Sequence, residues 1–131
     1  MGFRLKTSTE TKTIIEDLSK STNLKPFALC KIAIALSLNF GEPIENFKSN
    51  SNGLEFQRAT VTGEFDAIYK CMMEAFANKS LSDDEYFPDH TKKHIDRGFS
   101  IFRKQYDYAG GNLEKFINKL SLEEDLSLWF T

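Results

Sequence analysis

The stretch LKPFALCKIAIALSLN, residues 24–39, decides how this chain folds. Pro26 is well suited to be the first residue of a helix, because the N–H group of that residue is not needed for a hydrogen bond within the helix. From Phe27 to Leu38 the only strongly polar side chain is Lys31. A helix that is apolar on every side must be covered on every side. The stretch therefore predicts a central, buried helix in a chain of 131 residues.

The composition of the chain is that of an ordinary globular protein. Apolar residues make up 40% of it and charged residues 27%, so a chain of 15.0 kDa can bury its own core. We expect one domain over residues 1–131, because no stretch has the composition of a linker. The net charge of -2 excludes a strongly basic nucleic-acid binder. The first 40 residues nevertheless hold six Lys and Arg against three Asp and Glu.

The two cysteines and the N-terminus indicate the compartment. Cys30 and Cys71 are too few for a disulfide framework or a zinc site, and Cys30 falls inside the apolar helix. The opening MGFRLKTSTE lacks the apolar segment of a secretory signal and is too short to cross a bilayer. We therefore expect a cytoplasmic protein without a membrane segment.

Upstream of residue 24 the sequence predicts a strand and a helix. Residues 3–6 alternate apolar and basic side chains, the period of a half-buried strand. Thr7 and Glu10 have the spacing of a capping box, so a helix is expected to start after Thr7. Asn23 suits the left-handed position that ends a helix. Pro26 then opens the second helix after a tight turn.

Further along the chain, loops alternate with helical patterns. Residues 54–61 are predicted to be extended, and Thr62 is predicted to cap a helix over residues 62–78. The inward face of that helix would hold residues at helical spacing, namely Phe65, Ile68, Tyr69, Met72 and Phe76. Another capping box over residues 82–85 precedes a helix from His90 to about Tyr106. Short helices follow at 113–120 and from 121, so the fold class is mainly α.

Signatures of enzyme chemistry are sparse in this sequence. His90 and His94 are four residues apart on one helix face, as in metal-binding pairs, but a third ligand at fixed spacing is lacking. The alternative is a solvated helix start. Glu10-Thr-Lys12 has the E-x-K spacing of metal-dependent nucleases, without a preceding Pro-Asp. Residues 83–85 form an acidic cluster that suits a helix start. The residues alone therefore predict no catalytic group, no metal and no cofactor.

The first third of the chain has the order of a ribbon–helix–helix unit. A basic and apolar strand, a helix, a tight turn and an apolar helix follow one another. Such a unit leaves a strand edge and an apolar helix uncovered. Two chains would solve both problems by pairing their strands and packing their apolar helices together. Alternatively, residues 24–39 form the central helix of one chain, buried by the helices at 62–78 and 90–106.

Two lysines are placed where the first two helices meet. Lys20 lies at the end of the first helix and Lys25 at the start of the second. A helix N-terminus attracts phosphate through its free N–H groups and the positive end of its dipole. We therefore expect both lysines to contact phosphate. The alternative for Lys20 is a surface ion pair with Glu16, worth a few tenths of a kcal/mol.

Three further basic residues are candidates for the same role. Arg4 and Lys6 share one face of the predicted strand, because side chains two residues apart lie on the same side. Lys31 lies one and a half turns into the second helix and does not share a face with Lys25. The predicted set of DNA-binding residues is Lys20, Lys25 and Lys31, followed by Arg4 and Lys6.

Several segments of the chain resemble one known family. The run LSKSTNLKPFALCKIA, residues 18–33, is similar to the T-G-L-x-P-N-x-L-C-R-I segment of the DndE family. Residues 37–39, 52–58, 62–67 and 94–98 are similar to later blocks of that family, in the same order. The resemblance covers roughly residues 9–120. Because several blocks occur in register over one domain, they are more specific than any single motif.

The resemblance implies an accessory protein of bacterial DNA phosphorothioation, also called DNA sulfur modification. It implies a mostly helical fold with a ribbon–helix–helix-like core, and self-association. Members work beside sulfur-transfer and ATPase components; binding to nicked duplex DNA is attributed to some and nicking to others. The family has more Lys and Arg before the second helix and a glycine where Asn23 stands here.

Three functional hypotheses follow. The first is an accessory subunit that binds DNA, nicked duplex above all, through backbone phosphates. The second is a metal-dependent DNA nickase of the same system. The third is a protein-only scaffold for the sulfur-transfer and ATPase subunits. We expect the first, with a homo-oligomer as the working form.

Overall fold

The fold is mainly α, as the sequence predicts. The computed structural model describes residues 2–120, and the turn expected from residue 121 lies outside them. A last helical segment covers residues 113–120. The other elements, in chain order, are strand β1 (Arg4–Lys6), helices α1 (Thr9–Thr22) and α2 (Pro26–Phe40), strand β2 (Glu55–Gln57), helix α3 (Arg58–Val61), a 3-10 turn (Gly63–Phe65), helix α4 (Asp66–Ala77), the single turn α5 (Asp83–Glu85), a π-helical segment (Tyr86–Thr91) and helix α6 (Lys92–Tyr108).

The boundaries of α1 and α2 are close to the prediction. The residue that caps α1 is Ser8 and not Thr7, because the Ser8 hydroxyl accepts a hydrogen bond from the Thr11 N–H at 3.0 Å. Asn23 ends α1 in the left-handed conformation with φ of 62°, as predicted. Pro26 is the first residue of α2. The Thr7 hydroxyl instead donates to the Ser8 carbonyl at 3.2 Å.

The predicted strand β1 finds its partner within the same chain. It pairs antiparallel with β2, with Leu5 opposite Phe56 and Lys6 opposite Glu55. Leu5 is buried, whereas Arg4 and Lys6 face outward. The extended segment predicted over residues 54–61 is half wrong, because α3 begins at Arg58. One edge of β1 is therefore satisfied without a second copy of the chain.

The apolar helix α2 is central, and α6 is its main cover, with α1 and α3 at its sides. Its buried positions are Leu29, Cys30, Ala33, Ile34, Leu36 and Ser37. Cys30 is a buried core residue, and burial raises the pKa of its thiol. Cover is incomplete at Ala35, which is exposed, and toward the ends, where Phe27 is 37% exposed and Phe40 is 56% exposed. The sequence left open whether residues 24–39 are buried by a second chain or within one chain. In the structure a single chain buries most of this helix.

Helix α4 differs most from the prediction. Thr62 does not cap it, since a 3-10 turn intervenes and α4 begins at Asp66. Only part of the expected inward face is covered: Tyr69 and Phe76 are half-buried, whereas Phe65 is 51% exposed, Ile68 57% and Met72 40%. The fully buried residue of the helix is Met73. The helix is amphipathic as predicted, but three of the five residues expected to face inward are exposed.

The second capping box is confirmed in full. The Ser82 hydroxyl accepts from the Glu85 N–H, and the Glu85 carboxylate accepts from the Ser82 N–H. The acidic cluster at residues 83–85 therefore begins a helical turn, which continues through the π-helical segment into α6. Within the described part of the chain, no helix combines the length and apolar character needed to cross a membrane.

A glycine sets how closely α2 and α6 approach. A Cβ atom at Gly98 would lie 1.9 Å from the carbonyl oxygen of Ala33, far inside van der Waals contact. The Ala33 oxygen belongs to the backbone of α2, and the added Cβ would be bonded to the backbone of α6. Neither atom can move away without shifting its helix. The α2–α6 packing therefore requires glycine at position 98.

Gly98→Ala should lower the free energy of unfolding by about 3 kcal/mol, because the two helices must separate. In an unconstrained helix the same change would be stabilising by up to about 1 kcal/mol. Lys104→Ala, at an exposed position of the same helix, is the control and should change stability by less than about 0.5 kcal/mol. Urea denaturation followed by circular dichroism measures both. A G98A variant as stable as the parent chain would contradict this packing.

Candidate nucleic-acid interface

The turn between α1 and α2 is held rigidly by its own hydrogen bonds. The Asn23 N–H donates to the Ser19 carbonyl at 3.0 Å, and the Ser19 hydroxyl donates to the Leu24 carbonyl at 2.8 Å. The Leu24 N–H donates to the Thr22 hydroxyl at 3.2 Å. With the left-handed Asn23, these bonds fix the direction in which α2 leaves the turn. Residues 20 and 25 therefore have defined positions on its two sides.

A surface groove of about 440 Å³ lies between α1 and the start of α2. Its lining includes Lys12, Glu16 and Lys20 from α1, Pro26 from α2 and Leu54 from the loop before β2. Lys25 immediately precedes Pro26 and is exposed. The structure thus places the predicted residue Lys20 in the groove and Lys25 next to it.

The start of α2 remains electrically positive. Lys25 occupies the N-cap position, its side chain makes no capping hydrogen bond, and the first turn of α2 contains no acidic residue. The positive end of the helix dipole is therefore not neutralised within the helix itself. A positive helix end and a lysine at the same place favour an anion.

Lys12 is the residue that sequence reasoning missed. It lies eight residues before Lys20 on α1, with Glu16 between them, so all three share one helix face. The spacing of four residues between Lys12, Glu16 and Lys20 could have indicated this shared face from the sequence. Among the described residues Lys20 has no carboxylate within 4.0 Å, so the alternative ion pair with Glu16 is not formed. The groove therefore combines two lysines with one carboxylate.

The remaining predicted residues lie apart from the groove. The Lys31 ammonium lies 5.8 Å from the ring centroid of Phe27, and the residue is half-buried. Arg4 is 3.7 Å from the Glu55 carboxylate, which offsets part of its charge. Lys6 is exposed opposite Glu55. The structure therefore brings together Lys20 and Lys25, and does not join Lys31 or Arg4 to them.

A buried ion pair fastens the start of α1 to α6. Asp96 accepts from the Ser8 N–H at 3.1 Å and the Thr11 hydroxyl at 2.7 Å with one oxygen. Its other oxygen accepts from the Ser49 hydroxyl at 2.5 Å and from the Lys92 ammonium. Lys92 also donates to the Asn50 carbonyl at 2.8 Å. Both carboxylate oxygens of Asp96 are thus fully engaged in holding the chain together.

This network bears on the nickase hypothesis. Glu10 and Asp96 line one pocket of about 270 Å³, whereas Lys12 lines the separate groove of α1 and α2. The E-x-K spacing is therefore divided between two surface sites. A metal-dependent nuclease needs carboxylate oxygens that are free to bind the metal. The carboxylate oxygens of Asp96 already accept hydrogen bonds from protein donors, so the Lys92–Asp96 ion pair has the properties of a structural site.

Asp96→Ala should lower the free energy of unfolding by about 3 kcal/mol or more, because it leaves the Lys92 charge buried without its partner. Asp89→Ala is the matched control: Asp89 forms the same i, i+4 pair with Lys93, at 3.1 Å, but its side chain is 48% exposed. That change should cost less than about 1 kcal/mol. Equal losses for the two variants in chemical denaturation would contradict a structural role for Asp96.

The two histidines are buried, so the predicted solvated helix start is wrong. His90 is 3% exposed and His94 is 0% exposed. The Arg97 guanidinium donates to the Ser37 hydroxyl at 2.8 Å, which leaves that hydroxyl free to donate to His94 Nδ1 at 2.8 Å. The Phe76 ring packs edge-on against His94 at 4.9 Å between centroids. Over residues 2–120 no three His, Cys, Asp or Glu side chains form a group suited to a metal.

The comparison with known families decides the identity of the chain. Residues 4–109 match the profile of a family described as DNA sulphur modification protein DndE. The chain belongs to the DndE family. It is therefore a component of a DNA sulfur modification system, as the resemblance implied. Among curated proteins, none matches the chain. The part that matches the DndE profile includes the α1–α2 turn and the Asp96 network.

The buried histidine of this DndE-family chain predicts a pH dependence. Burial, together with the nearby charges of Arg97 and His90, lowers the pKa of His94 from 6.5 to about 3. Burial also lowers the pKa of His90. Below pH 6.5 the unfolded chain binds a proton at residue 94 that the folded chain does not, so stability falls as pH falls.

Between pH 6.5 and about pH 4.5 the loss from His94 should steepen toward a limit of about 1.4 kcal/mol for each pH unit. Denaturation at several pH values measures this slope, before carboxylate protonation dominates at lower pH. The two histidines can be followed separately by NMR in the folded protein. A His94 ring that titrates near pH 6.5 in the folded protein would contradict its burial.

Proposed function

We propose that this DndE-family chain is a DNA-binding subunit that holds the sugar–phosphate backbone at the groove between α1 and α2. The observation that carries the proposal is the position of Lys20 and Lys25 on either side of a rigid turn, at the positive end of α2. Lys12 adds a third positive charge on the same groove. Lysines placed around a helix N-terminus suit phosphate oxygens and do not read base edges.

The groove suits a nicked duplex better than an intact one. A terminal phosphate at a nick carries more negative charge than an internal phosphodiester, approaching two charges at neutral pH. It is also free to enter a groove beside a helix N-terminus, whereas an internal phosphate is tied to both neighbours. Lys31, Arg4 and Lys6 would then contact the flanking backbone and not the terminal phosphate.

Binding is proposed in preference to nicking. Asp96 is saturated by protein donors, and the Glu10 and Lys12 side chains line different surface sites. A subunit that holds a nick without cutting would act beside the sulfur-transfer and ATPase components, which are the proposed partners in the cytoplasm. We also propose that the subunit self-associates, so that several grooves engage one DNA molecule.

Replacing both Lys20 and Lys25 by alanine should weaken binding to nicked duplex and reduce its dependence on salt. Each lost phosphate contact lowers the slope of log K against log salt concentration by about 0.9 for duplex DNA, so the double variant should lose about 1.8. Fluorescence anisotropy with intact, nicked and single-stranded DNA measures affinity and slope together. The affinity for the nicked duplex should exceed that for the intact one in the parent chain.

Lys48→Ala is the control for the single Lys20→Ala variant. Lys48 is exposed and lies near the opposite end of α1, beside Ser8 and Glu10. The Lys48→Ala substitution removes the same charge as Lys20→Ala but lies outside the groove. Equal effects of K48A and K20A would show only a general loss of charge and would contradict the proposed contact.

A further inference from the structure

The groove between α1 and α2 has apolar walls that a phosphate group does not use. Its lining includes Ile15, which is buried, and Pro26 and Leu54, which are half-buried. Two exposed lysines, Lys12 and Lys20, line the same groove. A phosphate can pair with the lysines but has no apolar surface to pack against the other three side chains. A peptide segment that carries both carboxylates and apolar side chains would satisfy both parts of this lining.

Residues 121–131 of the same chain have this composition. The segment reads SLEEDLSLWFT, with three carboxylates at residues 123–125 and no Lys or Arg. Its apolar residues are Leu122, Leu126, Leu128, Trp129 and Phe130. The segment follows directly on Leu120, the last described residue, and lies beyond the part of the chain that matches the family profile. Acidic and apolar residues are thus supplied together, next to the described fold.

The last helical segment brings the chain close to the end of α1. The ring centroid of Phe116 lies 6.1 Å from that of Tyr106. The Tyr106 hydroxyl is 2.6 Å from the hydroxyl of Ser21, which directly follows Lys20. Leu120, four residues after Phe116, is half-buried against the same core. Residue 121 therefore begins on the side of the molecule where α1 ends and the groove opens.

The segment is long enough to follow the whole groove. Eleven residues in extended conformation span about 36 Å. Lys12 and Lys20 are eight residues apart on α1, a distance of about 12 Å along the helix axis. The carboxylates at 123–125 come first along the chain, so they reach the Lys20 end of the groove. The apolar residues 126–130 come later and can extend along the walls.

The charges of the groove and of the segment are complementary. Lys12, Lys20 and Lys25 outnumber Glu16, the one carboxylate in the lining of the groove. Lys25 is the N-cap residue of α2, and the first turn of that helix contains no acidic residue. A carboxylate near a helix N-terminus is stabilised by the helix dipole. Three carboxylates would therefore offset the excess positive charge of the groove.

We propose that residues 121–131 dock in the groove between α1 and α2 of their own chain and thereby compete with DNA. The carboxylates at 123–125 pair with Lys20 and Lys25, and the apolar side chains pack along Pro26 and Leu54. This inference rests on the proposed DNA contact and adds its regulation, because DNA must displace the segment. Docking within one chain benefits from an effective concentration of about 1 mM. A contact with a Kd of about 0.1 mM would then fill the groove about nine-tenths of the time and weaken DNA binding about tenfold.

Trp129 reports docking without any DNA, because it is the only tryptophan of the chain. In the parent chain its fluorescence emission should lie at short wavelength and resist quenching by acrylamide. Lys20→Glu with Lys25→Glu should shift the emission to longer wavelength and increase quenching, because like charges then repel the segment. The control is Lys6→Glu with Lys48→Glu, which makes the same change of charge at exposed positions outside the groove. It should leave Trp129 unchanged.

A charge exchange tests whether the two sets of charges meet. Changing residues 123–125 to lysine in the K20E/K25E variant should restore the short-wavelength emission of Trp129, because the ion pairs then form with reversed sign. The same three changes in the parent chain should release Trp129. Dilution of the parent chain should leave its emission unchanged, because the segment and the groove belong to one chain. Circular dichroism verifies that all variants are folded.

Neutralising the segment should strengthen DNA binding. The variant E123Q/E124Q/D125N should bind nicked duplex about tenfold more tightly than the parent chain at the same salt concentration, because the competitor is lost. Three exposed glutamates outside the groove provide the control, namely Glu42, Glu45 and Glu64, each changed to Gln. This control should change the affinity by less than about threefold, because salt screens charges that lie away from the contact. Fluorescence anisotropy measures both.

The outcomes separate this inference from the proposed function. Trp129 emission that ignores K20E/K25E would overturn the docking, while a loss of DNA binding in K20A/K25A would still support the groove. A shift caused instead by Lys119→Ala would also overturn the docking, because Glu123 would then pair four residues back. Emission that changes on dilution would assign the segment to another copy and overturn docking within the chain. Docking seen by fluorescence without DNA binding by any variant would overturn the proposed function and with it the competition.

Discussion

The close approach of α2 and α6 at Gly98 and Ala33 is the constraint on which the rest of the structure depends. Because the two backbones nearly touch there, the residues just before Gly98 reach several other segments. Asp96 holds the start of α1, and Arg97 donates to the carbonyl oxygens of Ser37 and Glu42 at 2.8 and 2.6 Å. One helix turn thereby fixes both ends of the α1–α2 pair. A side chain at position 98 would loosen all of these contacts together.

This arrangement would let a weakly charged chain present the phosphate site that we propose. The positive charge of the N-terminal third is small, so the proposed affinity would depend on position more than on the number of lysines. A buried network fixes the start of α1, the α6 contact fixes α2, and the turn between them has its own hydrogen bonds. Lys20 and Lys25 are consequently held at the end of α2, where its dipole adds to their charge.

Helix α4 serves a different purpose from the core helices. Its charged side chains Asp66 and Lys70 contact Arg58 and Asp83 in the segments just before and after the helix, whereas Phe65, Ile68 and Met72 remain exposed. The groove of α1 and α2 and the face of α4 are built from different elements. The DNA contact proposed for the groove would therefore leave the exposed residues of α4 free.

The sequence by itself determined the local features of this protein. Pro26, Asn23 and the Ser82 capping box place helix ends through contacts with their immediate neighbours, and the apolar run of residues 24–39 requires a central helix. The family also followed from ordered blocks of residues. Only the tertiary structure decided where faces point. Periodicity places Phe65, Ile68 and Met72 on one face with Tyr69 and Phe76, but only the last two are half-buried and the first three remain exposed. The burial of the histidines likewise depends on how separate segments pack.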